Sequence, residues 1–303
     1  MQHRRFSDLP AYLKSGDVMV FNNSRVIRAR LFATRLDNRK RIEILLLRRL
    51  TTNTWETLIG SKKKIVAGLK AEIEGGLPFL AEVLEVKAAG LRIVRFSDET
   101  LLPRVGHVPL PPYIHTPLAD PERYQTVYAE PEGSIAAPTA GLHFTRPLLA
   151  RLEQSGIRCV FVTLHVGLNT FRPVQTADIE SHPIFPEYGL ISPEAAAEIR
   201  QARAEERRVI CVGTTSVRLL ESAAHSTKDG TVRPWDGWVN DFIYPGYQFK
   251  VMDALITNFH LPQSTLLMLV SAFAGRDLIL RAYQTAVDLR YRFYSFGDAM
   301  LVL

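Results

Sequence analysis

The sequence predicts an α/β fold in which a larger domain of alternating strands and helices is interrupted by a small inserted β-barrel. Three observations point there. Between residues 30 and 108, short segments of alternating apolar and polar residues follow one another with turn residues between them, the pattern of a small barrel or sandwich. Residues 103–112 hold four prolines, which read as an extended linker rather than a helix and mark the exit from the insert. Beyond them, strand-like apolar runs alternate with helix-length segments, as in an α/β domain. The expected division is residues 1–29 with 109–303 as one discontinuous α/β domain, and residues 30–108 as the inserted barrel. At 303 residues the chain is longer than one compact core usually requires.

The first strand is expected over residues 17–21. Asn22-Asn23-Ser24 makes a turn, and the alternation resumes over residues 25–31. Within the insert, strands are expected at 41–49, 55–59, 80–86 and 91–96. Gly75-Gly76 and Ala88-Ala89-Gly90 separate them, and Lys62-Lys63-Lys64 falls in a loop. The larger domain then reads as helix 147–154, strand 158–166, helix 193–207, strand 208–212, helix 216–225, strand 251–257, helix 264–274 and helix 277–290. Ser192-Pro193-Glu194 supplies a cap, a first-turn proline and an early acid. Ser264 caps the next-to-last helix and Gly275 ends it. That helix is apolar all round, which predicts burial at the centre of the domain.

Composition sets the class. Hydrophobic residues make up 47% and charged residues 22% of the chain, as in ordinary globular proteins rather than disordered ones. The net charge of +6 is unevenly spread. Residues 1–70 carry 16 Lys/Arg against 5 Asp/Glu, whereas residues 71–303 carry 21 against 26. The basic excess fits either a polyanion-facing surface or a solvated basic one. Cys159 and Cys211 each lie in an apolar strand-like run and are expected to be buried, reduced thiols, which fits a cytoplasmic chain. The amino terminus lacks the apolar core of a signal peptide. The longest candidate membrane span, residues 261–274, is interrupted by Pro262, Gln263 and Ser264, and falls short of the ~20 apolar residues needed.

Four constellations can carry chemistry. In the first, the buried strand Val209-Ile210-Cys211-Val212 runs into Gly213-Thr214-Thr215-Ser216 and a helix start, with Arg218 one turn on. Ligands of open α/β sheets sit at such strand ends, so this turn suits a carboxylate or ribose hydroxyls with Arg218 as clamp, or is simply a capped turn. It lacks the Gly-Lys-Thr/Ser of a phosphate loop. The second is the small-residue run 133–145, containing Thr139, Gly141 and His143. The third is the strand end Leu164-His165-Val166-Gly167. The fourth is Asp253-Ala254-Leu255-Ile256-Thr257-Asn258-Phe259-His260, where Asp253, Leu255 and Thr257 share one strand face. Each alone can be structural, but four polar turns at the edge of one sheet predict a pocket. No nucleophile elbow, zinc spacing or dinucleotide fingerprint is present.

At these residues the chain resembles the S-adenosylmethionine:tRNA ribosyltransferase-isomerase family of queuosine biosynthesis. The matching strings include Pro109-Leu110-Pro111-Pro112-Tyr113-Ile114, Tyr124-Gln125-Thr126-Val127-Tyr128-Ala129, residues 136–145, His165-Val166-Gly167, residues 212–216, Thr257-Asn258-Phe259-His260-Leu261-Pro262 and residues 291–300. They run nearly end to end. The resemblance implies an α/β domain with an inserted β-barrel. It also implies transfer and isomerisation of the ribosyl part of S-adenosylmethionine onto 7-aminomethyl-7-deazaguanine at the tRNA wobble position. Epoxyqueuosine, adenine and methionine are the implied products. S-adenosylmethionine is then a consumed substrate, no metal is implied, and a monomeric cytoplasmic enzyme without membrane contact is expected.

Under this reading His143, His165 and His260 are candidate bases for the ribose C5′ proton. Asp253, Phe259 or Tyr247 can face the sulfonium. Thr139, Gly213, Thr214, Thr215, Ser216, Arg218, Thr257 and Asn258 are candidate substrate contacts, with Arg218 and the 213–216 turn for the methionine carboxylate. Arg25, Arg28, Arg30, Lys62, Lys63 and Lys64 are candidate phosphate contacts. The chain departs from the family in lacking a few tens of leading residues, read as a misplaced start or a shortened paralogue. Other departures are Leu168-Asn169 in place of Ala-Gly, Phe185 in place of a histidine, and Arg28 in place of a proline. The competing expectations are an enzyme modifying another RNA base with S-adenosylmethionine and a non-catalytic tRNA-binding relative.

Overall fold

The structure is a computed structural model that describes residues 1–61, 64–114, 116, 118–167 and 184–303. The chain divides into two compact units: residues 1–25, 125–131 and 137–303 form the first, and residues 26–124 with 132–136 form the second. The fold class is the one the sequence predicts, an α/β unit and a closed β-barrel.

The first unit is built on a seven-stranded mixed sheet. At its centre β1 (Val18–Asn22) lies parallel to β10 (Arg158–Leu164) on one side and to β12 (Val209–Val212) on the other. Next to β12 and parallel to it runs β14 (Ala254–Asn258), and β15 (Ala299–Val302) closes that edge in the antiparallel sense. The opposite edge is antiparallel as well, with β11 (Glu187–Ile191) next to β10 and β13 (Trp235–Val239) outermost. Every residue of β1, β12 and β14 is buried, as expected of parallel strands covered on both faces.

Period-two alternation sorts the strand residues between two cores. Val18, Val20, Val160, Val162, Val209, Cys211 and Leu255 pack with Ile199 of α3 (Pro193–Ala204), Val217 and Leu220 of α4 (Thr214–His225), Val270 of α5 (Thr265–Ala274) and Ile279 of α6 (Arg276–Asp288). Met19, Phe21, Ile210, Val212, Ala254 and Ile256 pack with Phe144 and with Leu152 of α2 (Arg146–Gln154). The helix starts follow the sequence rules. Ser192 and Ser264 each accept a hydrogen bond from the backbone N–H three residues on, at 3.2 Å.

Two acids, Asp17 buried and Asp253 partly exposed, fasten the amino ends of the central strands. Asp17 accepts from the Lys14 N–H and pairs with Arg208, just ahead of β12. Asp253 accepts from the Val209 N–H at 2.8 Å and pairs with Arg203. Glu221, fully buried in α4, accepts from the N–H groups of Lys250, Val251 and Met252 and from the Tyr247 hydroxyl.

In the second unit β3 (Arg30–Arg35), β4 (Arg41–Thr51), β5 (Thr54–Gly60), β8 (Leu91–Phe96), β7 (Leu80–Val86) and β6 (Lys70–Ile73) close into a barrel in that order. Leu31, Ala33, Ile42, Ile44, Leu46, Val83 and Phe96 alternate inward and fill it. Two shorter strands, β2 (Arg25–Val26) and β9 (Glu132–Ser134), pair with each other, and a single helical turn, α1 (Leu102–Val105), follows the barrel.

The structure differs from the sequence expectation in three ways. Strands β6, β11, β13 and β15 are not anticipated. They are four or five residues long, and Trp235-Asp236-Gly237-Trp238-Val239 carries an Asp and a Gly that weaken the strand pattern. The proline run is not extended throughout, because Pro103 sits in the first turn of α1, where its missing N–H costs nothing. The helix α5 is not buried all round: Leu269, Val270 and Ser271 are buried, but Thr265, Leu266, Leu267 and Met268 are partly exposed. Cys211 is buried, Cys159 only partly so, and both are free thiols. Among the described residues no helix is long and apolar enough to cross a membrane.

Replacing Glu221 by alanine would leave three backbone N–H groups of residues 250–252, two of them buried, without their acceptor. A loss of about 2–4 kcal/mol of unfolding free energy is expected, read as a lowered urea midpoint with an unchanged denaturant slope.

Candidate active site

Strands buried on both faces can place polar chemistry only at their ends. At the carboxyl ends of β10, β12 and β14 the first unit opens a cleft. Val166 lines it just past β10, Gly213 to Thr215 line it just past β12, and Thr257, Asn258 and His260 line it at the end of β14. Residues 137–140 and the first turn of α5, through Thr265 and Leu266, complete the wall. That position explains why α5 is half exposed. Gly213 makes the sharp passage from β12 into α4 at φ +85°, a backbone conformation that favours glycine.

Three polar atoms of this wall are buried and have no hydrogen-bond partner among the described residues: Thr215 Oγ1, Arg218 Nη2 and Asn258 Oδ1. Each such orphan costs roughly 1–3 kcal/mol, and three gathered in one cleft describe a surface preorganised for a polar ligand. The rest of the wall is fixed. Arg218 Nη1 donates to Glu187 Oε2 in a buried ion pair, and Glu187 Oε1 accepts the Gly167 N–H at 2.6 Å. Thr257 Oγ1 lies 2.8 Å from His260 Nε2, and the His260 backbone N–H donates to the Tyr283 hydroxyl at 2.7 Å.

Asn258 ties the cleft to His143. Its Nδ2 donates to the Tyr294 carbonyl at 3.0 Å and lies 3.1 Å from His143 Nε2. Because the amide nitrogen must face the carbonyl, His143 Nε2 is the acceptor of this pair and the imidazole carries its proton on Nδ1. Burial lowers the pKa of His143, an effect opposed by Asp298 and reinforced by Arg292. Burial also lowers His165, and it pushes His260 down to about 4. All three imidazoles are therefore neutral at pH 7 and able to accept a proton.

A family model described as queuosine biosynthesis protein matches residues 1–302. The chain belongs to that family. A Dehalococcoides mccartyi protein named S-adenosylmethionine:tRNA ribosyltransferase-isomerase is 52% identical over all of this chain and 89% of its own length. Proteins of the same name from Symbiobacterium thermophilum and Moorella thermoacetica are each 54% identical with the same coverage. The crystal structure of the S-adenosylmethionine tRNA ribosyltransferase of Thermotoga maritima aligns with a TM-score of 0.53 and 36% identity, covering all of this chain and 88% of that one.

In this member of the queuosine biosynthesis family, the four constellations singled out in the sequence meet at one cleft, but not every residue within them does. Thr139, Gly213, Thr214, Thr215, Arg218, Thr257, Asn258 and His260 line it. His143 touches it through Asn258. His165 lies one residue before Val166, with its Nδ1 2.7 Å from the Ser24 hydroxyl. Ser216 points away and donates to the Val212 carbonyl at 2.9 Å. Phe259 is buried in an aromatic cluster with Tyr283, Tyr291 and Phe293. Tyr247 hydrogen-bonds to Glu221.

Asp253 is placed at the opposite end of β14, held by Arg203 and the Val209 N–H, so it serves strand alignment rather than the cleft. Glu187 was not singled out as a site residue.

Of the candidate phosphate contacts, Arg28 and Lys64 are exposed. Arg25 is half-buried. Arg30 is engaged by Glu43 at 2.9 Å and by the Leu110 carbonyl at 3.1 Å, so it is not a free cation. Lys62 and Lys63 lie outside the described residues, as do the departures at 168 and 169.

The loop carrying His143 rests on close packing. A Cβ at Gly141 would collide with the Tyr128 hydroxyl and come within 2.7 Å of Thr126 Cγ2. Gly141→Ala is expected to lower kcat at least about tenfold, the scale of a displaced catalytic loop. Adding Tyr128→Phe, which removes the colliding oxygen, should recover part of that loss; steady-state kinetics on the single and double variants checks both.

Proposed function

We propose that the cleft binds S-adenosylmethionine as a consumed substrate and that the chain transfers its ribosyl moiety to 7-aminomethyl-7-deazaguanine at the tRNA wobble position. The reaction breaks the glycosidic bond to adenine and the C5′–S bond to methionine. It joins the aminomethyl nitrogen to the ribosyl carbon skeleton and gives epoxyqueuosine. The observation that carries this reading is the convergence of Thr215 Oγ1, Arg218 Nη2 and Asn258 Oδ1, buried and without a partner among the described residues, at the strand ends of a ribosyltransferase-isomerase relative. A guanidinium donor suits the methionine carboxylate, while a hydroxyl and an amide oxygen suit ribose hydroxyls or the adenine amino group.

The sulfonium acidifies the neighbouring C5′ hydrogens, so the first need is a neutral base. His260 lines the cleft and is held neutral by burial, with Thr257 at its Nε2. His143, with Nε2 as acceptor, is the second candidate, and His165 the third. Departing adenine takes up a proton, which the same imidazole can return. The nucleobase reaches the cleft unstacked from the anticodon loop, and Arg28 and Lys64 of the second unit serve as phosphate contacts. The enzyme acts as a cytoplasmic monomer.

Incubating the protein with S-adenosylmethionine and tRNA bearing 7-aminomethyl-7-deazaguanine should yield epoxyqueuosine and free adenine by nucleoside mass spectrometry. A methylated nucleoside, or binding without product, would overturn the proposal in favour of the competing expectations. Thr215→Ala and Asn258→Ala should each raise KM for S-adenosylmethionine about tenfold, and Arg218→Ala about 100-fold.

Protonation of the depressed histidines sets the acid limit. Because their folded pKa values lie below the ordinary 6.5, the unfolded chain binds more protons in that window. Stability is full above pH 6.5 and falls as pH drops from 6.5 towards about 4, the value of His260. Urea titrations across that range should show the decline, and His260→Gln should flatten it.

A further inference from the structure

Among the described residues lining the cleft, Arg218 is the one with a permanent charge. Its counter-ion is Glu187, which is 2% exposed and lies outside the lining. Both Glu187 oxygens are engaged, one by Arg218 Nη1 and the other by the Gly167 N–H. The carboxylate has its two partners on different segments, α4 and the turn that follows β10. It thus fixes the guanidinium so that Nη2 is the nitrogen left open. It also cancels the positive charge of the wall. That cancellation matters for a particular ligand chemistry. A sulfonium amino acid carries one carboxylate, one ammonium and one sulfonium at pH 7, a net charge of +1. An uncompensated Arg218 would attract its carboxylate but repel the molecule as a whole.

We propose that Glu187 is a positioning and specificity-determining residue, which aims Arg218 Nη2 and cancels the charge of the cleft wall, so that a sulfonium is not disfavoured against the uncharged thioether. The inference rests on the reading of the cleft as an S-adenosylmethionine site. Glu187 makes no contact with the substrate itself. Its effect passes through Arg218 and through the charge it places behind the wall.

The test is the affinity of S-adenosylmethionine relative to S-adenosylhomocysteine, its neutral thioether counterpart, measured by isothermal titration calorimetry on the full chain. Both ligands carry the amino-acid carboxylate, so the ratio isolates the charge at sulfur. Glu187→Gln keeps the side-chain shape and removes the charge. It is expected to weaken S-adenosylmethionine about tenfold more than S-adenosylhomocysteine, a difference that shrinks in high salt.

Equal weakening of both ligands would show a merely structural residue and overturn the inference, while leaving the substrate assignment intact. Failure of the unaltered chain to bind either ligand would instead overturn the substrate assignment, and the inference with it. Glu187→Asp retains the charge with a shorter reach. If the glutamine variant does not fold, Glu187→Asp should raise KM while holding the ratio within about threefold of the unaltered chain. A ratio shifted as far as tenfold in this charge-retaining variant would overturn the inference.

Discussion

The whole arrangement depends on one constraint, the burial of β1, β12 and β14 over their full length. A strand covered on both faces has no room for an unpaired polar side chain, so its polar residues are pushed to its two ends. The two ends are then treated differently. At the amino ends Asp17 and Asp253 are saturated by arginines and backbone N–H groups, and they align neighbouring strands. At the carboxyl ends Thr215, Arg218 and Asn258 each keep an atom that nothing among the described residues satisfies. One end of the sheet is closed chemically and the other is left open, and the open end is where the cleft lies.

That asymmetry explains what the sequence could and could not disclose. The central strands, the helices with Ser192 and Ser264 at their starts, and most barrel strands are legible because they carry long apolar periods or unambiguous caps. The edge strands β13 and β15, and β11 next to the edge, are not, because strands at the margin of a sheet need fewer apolar residues and tolerate Asp236 and Gly237. At the site, the strand-end turns could be found one by one from residue type. The separation of Asp253 from the cleft could not be resolved by period two, which places side chains on faces but does not say which end of a strand is functional. Likewise Ser216 and Phe259 sit inside the right strings, yet turn toward a carbonyl and an aromatic cluster. Glu187 was invisible because its role depends on a partner 31 residues away in sequence.

The histidines show how burial sets the chemistry. At His143, His165 and His260 alike burial outweighs neighbouring charge, and Asp298 opposes it only in part at His143. Desolvation is the leading influence on each, and it keeps them uncharged. A neutral imidazole remains a proton acceptor, so burial by apolar neighbours shapes what these side chains can do as directly as their polar contacts do.

The orientation of the Asn258 amide has a selective effect. With Nδ2 committed to the Tyr294 carbonyl and His143, the residue offers the cleft only the lone pairs of Oδ1. Whatever portion of a guest molecule settles there must bring a hydrogen with it, as an amino or hydroxyl group does. A keto or ether oxygen in the same place would set lone pair against lone pair. Flipping the amide to suit such a guest would turn Oδ1 toward the Tyr294 carbonyl, so the refusal is enforced by a residue on a distant turn of the chain.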